Sequence, residues 1–205
     1  MLTLLHTSPV HVPVFEALRD RDLPGLPMRH LVHENLLAGA REGGPESVGG
    51  EVRRVLAGAV ASGAGAVLCT CSTIGGIAEA ASAATGVPVL RVDRPMAAAA
   101  VAVGPRIAVV ATVESTLAPT TALLHEADPD ADVFPLLAEG AWERFEAGDR
   151  DGHLDLVART ADAVQDVDVI VLAQVSMADA VGRTSTAVPV LSSPLSGLRA
   201  AAGLV

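Results

Sequence analysis

The sequence predicts an α/β fold built as two pseudo-symmetric lobes, each a small parallel β-sheet flanked by helices, with an active-site cleft between them. Three observations predict it. Short apolar, β-branched runs alternate with helical patterns along the whole chain, the signature of βαβ units. Four motifs recur in order with nearly constant spacing. The length, 205 residues, suits two lobes of roughly 100 residues each.

Strand candidates in the first half are 2–6 (LTLLH), 28–33 (MRHLVH), 65–70 (GAVLCT) and 87–91 (VPVLR). The second half offers 106–111 (RIAVVA), 132–137 (DVFPLL), 167–173 (VDVIVLA) and 188–191 (VPVL). Helical patterns fall near 13–20, 46–62, 75–85, 95–102, 116–127, 141–147, 151–165 and 195–203. In 46–62, Val48, Val52, Val55, Leu56, Ala59 and Val60 fall near one helical stripe. Asp149 or Asp151 is placed to cap the helix that follows.

The repeat is read from four pairs. LTLLHT (2–7) matches IAVVAT (107–112), and LVHE (31–34) matches LLAE (136–139), both shifted by 105. VLCTCST (67–73) matches VLAQVSM (171–177), shifted by 104, and VPVL at 87–90 returns at 188–191. The lobes are then 1–94 plus about 190–205, and 95–189, with the last strand able to cross back. Ligands of parallel sheets bind at the carboxyl ends of strands, here the loops after 6, 34, 71, 111, 139 and 175.

Composition removes several function classes. Half the residues are hydrophobic and 19% charged, which argues against disorder. Three Phe, one Trp and no Tyr leave the core to Ala, Val and Leu. The net charge of −10, with no cationic run, disfavours nucleic acid and an anionic membrane surface. No apolar stretch approaches the roughly 18 residues that span a bilayer. The start, MLTLLHTSPV, lacks a signal-peptide pattern. The expected setting is cytoplasmic, and abundant small apolar residues make a homo-oligomer plausible.

The chemistry concentrates at AVLCTCSTIGG (66–76). Cys71 stands where the third strand ends. Ser72, Thr73, Ile74, Gly75 and Gly76 follow, where a helix begins. Helix N-termini carry unpaired N–H groups and partial positive charge, which favour a thiolate and lower its pKa. The same donors, with the Ser72 and Thr73 hydroxyls, could hold a carboxylate. Cys69, taken to point to the opposite face, reads as a core filler. Two thiols lack the further ligands of a zinc site, and the histidines show no metal spacing, so no metal is expected. Nor does the chemistry need a cofactor.

CTCSTIGG followed by VPVLRVDRPMAAAA, with a second copy VLAQVSMADA…VPVLSSP, resembles the aspartate/glutamate racemase superfamily. That group includes amino-acid racemases, hydantoin racemase, maleate isomerase and arylmalonate decarboxylase. The resemblance implies two α/β lobes with a cysteine from each facing the cleft, one removing a proton from a carbon and the other delivering one to its opposite face. Cys71 matches the first. The 104 shift puts the second at Val175, which cannot move a proton.

Three outcomes follow. Another residue of the equivalent loops, His6, Glu34, Glu114 or Ser176, could supply a second acid/base; His6 is attractive because imidazole titrates near neutrality. Alternatively, one thiol suffices, as in decarboxylation of a malonate-type acid or an addition–elimination isomerisation. Or the protein binds a small carboxylate without turning it over. Thr7, Ser8, Thr112, Ser115 and Thr116 are candidate anion-clamp residues in matched loops. Ser176 and Met177 mirror Ser72 and Thr73, and Val175 with Met177 makes that wall apolar. Asp93 reads as a helix cap, and Arg91, Arg94 and Arg183 are the nearest cationic candidates. Trp142 and Phe145, at i and i+3, read as lobe packing or an oligomer contact. The expected activity is a cofactor-independent isomerase or racemase acting beside the carboxylate of a small acid through Cys71, with a one-cysteine decarboxylase or a non-catalytic carboxylate binder as alternatives.

Overall fold

The computed structural model describes residues Met1–Val205. The chain divides into two compact units, Met1–Arg94 with Pro194–Val205, and Pro95–Ser193.

The first unit is a four-stranded, wholly parallel sheet in the order β2-β1-β3-β4, from β1 (Leu2–His6), β2 (Met28–Val32), β3 (Ala66–Cys69) and β4 (Val89–Arg91). Central strands covered on both faces read as continuous apolar runs, and β1 and β3 are buried at every residue. On one face Leu5, Val67 and Cys69 pack with α2 (Glu34–Gly43), α3 (Gly49–Ala61) and α4 (Ser72–Ala80) through Leu36, Val52, Leu56 and Ile74. In α3, Gly49, Val52, Leu56 and Ala59 are the buried positions, the i, i+3, i+7, i+10 spacing of one helical face. On the other face lie α1 (His11–Asp22), with Phe15 fully buried, and the returning α10 (Pro194–Ala202). The short α5 (Ser82–Thr85) leads into β4.

The second unit repeats this order as β6-β5-β7-β8, from β5 (Arg106–Ala111), β6 (Asp132–Leu137), β7 (Val169–Leu172) and β8 (Val190–Ser192). Helices α6 (Arg94–Val103) and α7 (Leu117–Ala127) cover Ile107, Val109, Val169 and Val171. Helices α8 (Ala141–Glu146) and α9 (Arg150–Asp162) cover Ala108, Val110, Ile170 and Leu172 together with the 3₁₀ segment Val175–Arg183. Asp149 caps α9, its Oδ1 accepting from Gly152 N at 2.9 Å. Trp142 and Phe145 stack with centroids 5.1 Å apart, and Phe145 meets His153, so this pair packs within its own unit. Strand β6 is an edge. Asp132 N and Ala138 N donate to Pro105 O and Ala111 O of the β5 side, so odd-numbered nitrogens face outward. Pro135 takes one of these positions, where a missing N–H costs no ladder bond and blunts strand addition.

Three expectations are corrected. Strand 188–191 does not cross back: β8 pairs with β7, and the helix α10 is what returns to the first unit. Cys69 and Cys71 do not face opposite ways; residues i and i+2 of an extended chain share a face, and both lie in one core cluster. The third correction concerns register. Leu2 pairs with Ala66 and Leu5 with Cys69, whereas Ile107 pairs with Val169 and Val110 with Leu172. With β1 matched to β5 by 105, β3 therefore matches β7 by 103 rather than 104. A one-residue slip exchanges faces. The counterpart of Cys71 is Gln174, not Val175. Cys71 is the N-cap of α4, and Gln174 is the N-cap of the 3₁₀ segment, both extended.

Helix α10 seats closely on the first unit: a Cβ at Gly197 would clash with the Val92 carbonyl oxygen. Gly197→Ala should force the helix outward and destabilise the protein by about 1–3 kcal/mol, measured by urea denaturation.

Candidate active site

The polar groups of the first unit gather where β1 and β3 end. Helix α4 begins at Ser72, three residues before the position expected from sequence, so Ser72, Thr73 and Ile74 form its first turn. Cys71, only 7% exposed, sits directly before them. Burial pushes its thiol upward; the Thr7 hydroxyl, the N–H groups of Ile74 and Thr73 and the Thr73 hydroxyl pull the other way but do not outweigh it. The expected lowering is thus corrected: the donors are present, but desolvation of the buried sulfur outweighs them. Cys69 is fully buried, its thiol also pushed up by burial, and its S–H points to Cys71 O at 3.7 Å. It is a core residue.

Thr70, between the cysteines, points to the opposite face. Its N–H and hydroxyl both donate to Leu5 O, at 2.9 and 3.1 Å. With its hydrogen committed, Thr70 Oγ1 accepts from His6 Nδ1 at 2.8 Å. His6 Nε2 must then accept from His30 Nδ1, also at 2.8 Å. The network assigns a directional chain, His30 to His6 to Thr70 to the Leu5 carbonyl. His6 is fully buried, with its ring against His11, Phe15 and His30. Burial, then the nearby His11 and His30, drives its pKa down to about 3. The expectation that His6 titrates near neutrality is therefore corrected, and both of its nitrogens are engaged. His11 is partly exposed as a residue, but its Nδ1 is buried without a partner, and burial lowers its pKa to about 4.

A buried ion pair backs α4. Arg91 donates to Asp93 through Nε at 2.7 Å and Nη2 at 2.9 Å, with both residues buried. A Cβ at Gly75 would come 3.0 Å from Arg91 Cβ and 3.2 Å from its Nε. The glycine thus reflects close packing on the guanidinium, and Asp93 gives both carboxylate oxygens to it. Arg94 pairs with Glu79, Nε to Oε1 at 2.8 Å. Arg183 lies on the surface with Asp151 and Asp155.

In the second unit, Gln174 Oε1 accepts from Thr112 N at 2.7 Å, Thr112 Oγ1 at 3.1 Å and Val113 N at 3.3 Å. Thr112 and Thr116 are buried, and Ser115 Oγ is buried without a partner. Val175 and Met177 lie in the core, and Ser176 is half-buried. Glu114 and Glu34 are exposed, each opening a helical turn; Ser8 is half-buried beyond Thr7. No group of His, Cys, Asp and Glu is arranged to hold a metal, and no helix is long and apolar enough to cross a membrane.

Twin parallel α/β units, with a thiol at a strand-to-helix turn of one and a carboxamide at the matching turn of the other, have the two-lobed fold of the racemases. The chain belongs to the Asp/Glu/hydantoin racemase family, whose profile matches residues 12–201. Membership supports racemase- or isomerase-type activity. A glutamate racemase isoform from Bacillus anthracis is similar with a TM-score of 0.78 and 19% identity, covering 100% of this chain and 80% of that one. Allantoin racemase from Klebsiella pneumoniae follows at 0.66 and 15%, covering 99% and 86%. A mutant arylmalonate decarboxylase matches at 0.63 and 22%, covering 99% and 91%. At these identities the likeness shows the fold. No curated protein sequence matches significantly.

Two outcomes follow from the buried groups. His6 and His11 stay neutral in the folded protein, while their unfolded counterparts protonate below about pH 6.5. The unfolded state binds more protons, so stability is complete above pH 6.5 and falls as pH drops toward 4, by about 1.4 kcal/mol per pH unit for each group. Urea titrations from pH 7 to 4 should show this slope, reduced by one such group's share in His11→Leu. Iodoacetamide should modify Cys71 with a pH midpoint above the free-thiol value of about 8.5 and leave Cys69 unmodified, as read by mass spectrometry.

Proposed function

We propose that the protein is a cofactor-independent isomerase-type enzyme acting at the carbon next to the carboxylate of a small acid, with Cys71 as its single proton-handling group. The observation that carries this reading is the unequal pair of turns. One N-cap position holds a thiol, faced by the hydroxyls of Thr7 and Thr73 and two α4 N–H groups; its counterpart holds Gln174, which neither gives nor takes a proton near neutral pH. The N–H and hydroxyl donors around Cys71 are suited to an anionic oxygen, with Ser72 and Thr73 as the nearest substrate-binding hydroxyls. Thr7 bears on the sulfur itself.

A second reading is favoured by the upward push on the Cys71 thiol. A thiol held protonated is a better donor than base. In a malonate-type acid the bond to one carboxylate breaks, carbon dioxide leaves, and the electron pair stays on carbon as an enediolate of the remaining carboxylate. Cys71 S–H then protonates that carbon, and solvent restores the thiol.

Incubation in deuterated water with aspartate, glutamate, hydantoins, maleate and substituted malonates tests both readings. Deuterium at the carbon beside the carboxylate, or cis/trans conversion of maleate, supports the isomerase; carbon dioxide release with one-face labelling supports the decarboxylase. Either activity should fall about 100- to 10,000-fold in Cys71→Ser. Ligand binding by the wild-type protein without exchange, isomerisation or carbon dioxide release would leave a carboxylate-binding protein and overturn both.

A further inference from the structure

We propose that His6 is a positioning residue for Cys71: the neutral chain His30–His6–Thr70 pins the end of β3 so that the next residue is held at the N-cap of α4. The proposal rests on Cys71 being the proton-handling thiol.

Two adjacent residues at the end of β1 hold two adjacent residues at the end of β3. Thr7 bears on the Cys71 sulfur from one face of the sheet. His6 holds the Thr70 hydroxyl from the other, at 2.8 Å. Thr70 closes on Leu5 O through both its N–H and its hydroxyl, so the peptide linking Thr70 to Cys71 cannot swing. His30, on the neighbouring strand, fills the remaining acceptor of His6 and fixes its tautomer. The groups facing these rings are His11 and Phe15 of α1 on His6, and Glu16 and Arg19 of the same helix on His30.

The second unit supplies an internal control. By strand register the counterparts of His6 and Thr70 are Ala111 and Ala173. That turn closes with the same backbone bond, Ala173 N to Val110 O at 2.9 Å, matching Thr70 N to Leu5 O at 2.9 Å. Two alanines therefore suffice at these two positions, in a turn where the N-cap Gln174 instead accepts from Thr112 and Val113. Burying a hydrogen-bonded polar chain at the first turn brings a desolvation cost that the topology does not demand. It stands only beside the thiol.

The test reads Cys71 without any substrate. Alkylation by iodoacetamide is followed residue by residue against pH in wild type, His6→Leu, Thr70→Val and His6→Asn, with urea denaturation on each. Release of the turn exposes the sulfur, so in His6→Leu and Thr70→Val the Cys71 rate should rise about ten-fold and its midpoint move down toward about 8.5, with Cys69 still protected. His6→Asn, whose amide can donate to Thr70, should stay within about three-fold of wild type. If a substrate is in hand, kcat should fall on the order of 100-fold with KM little changed in the two disruptive variants. Wild-type alkylation in folded Thr70→Val would overturn the proposal, as would parallel exposure of Cys69 and Cys71. Should His6→Leu not fold, Thr70→Val decides alone. Absence of any turnover in the wild type would defeat the proposed function instead and leave the alkylation result readable.

Discussion

Side-chain alternation along β3 is the constraint from which the site follows. The strand is buried on both faces, so each successive residue must suit a different layer. Cys69 and Cys71 go to the layer of α2, α3 and α4, and Thr70 between them goes to the layer of α1. One face thereby receives sulfur beside a helix N-terminus; the other receives a hydroxyl that needs partners. The partners come from β1 and β2, in register with it: Leu5 pairs with Cys69, and Leu4 pairs with His30. His30, His6 and Thr70 meet one another in a chain, and Cys71 meets the first turn of α4.

Burial then sets the protonation states. Three histidines on the α1 side have their pKa values lowered, chiefly by removal from water. A neutral ring can be both donor and acceptor, and only a neutral His6 can accept from His30 while donating to Thr70. The same desolvation acts oppositely on Cys71, because for a thiol the charged form is the deprotonated one. Burial therefore favours the uncharged imidazoles and disfavours the thiolate. The donors around the sulfur reduce the cost of thiolate without removing it.

Much of this was legible in the residues. Apolar runs located all eight strands, and the repeat with its shift of 105 was real for β1 and β5. Cys71 stood out because an apolar run ended there and small polar residues followed. The failures have physical causes. Helix α2 was missed because Gly39 and Gly43 weaken its helical propensity and only Leu36 and Ala40 are buried. The match at β7 slipped by one because identity of the Val-Leu pairs at 67–68 and 171–172 outweighed the pleat. Matching by face, with Val67 against Ile170 and Cys69 against Leu172, would have exposed Gln174. His30 and the Arg91–Asp93 pair leave no local signature: they become partners only once strands lie side by side or an arginine beneath a glycine is closed in.

The difference between the two turns bears on how a repeated fold can free a side chain for chemistry. In the second unit the N-cap residue does the holding itself: the Gln174 carboxamide oxygen takes Thr112 N, Thr112 Oγ1 and Val113 N. Its hydrogen-bonding capacity on that side is committed to the scaffold. In the first unit the holding is one residue earlier, by Thr70 and through it His6. The N-cap side chain is released from that duty, and a sulfur can stand there with donors that favour its charged form. A thiol could not replace Gln174 in its structural role, since sulfur accepts hydrogen bonds weakly. In the cysteine-bearing turn the anchor is the residue immediately before, Thr70, on the opposite face of the pleat.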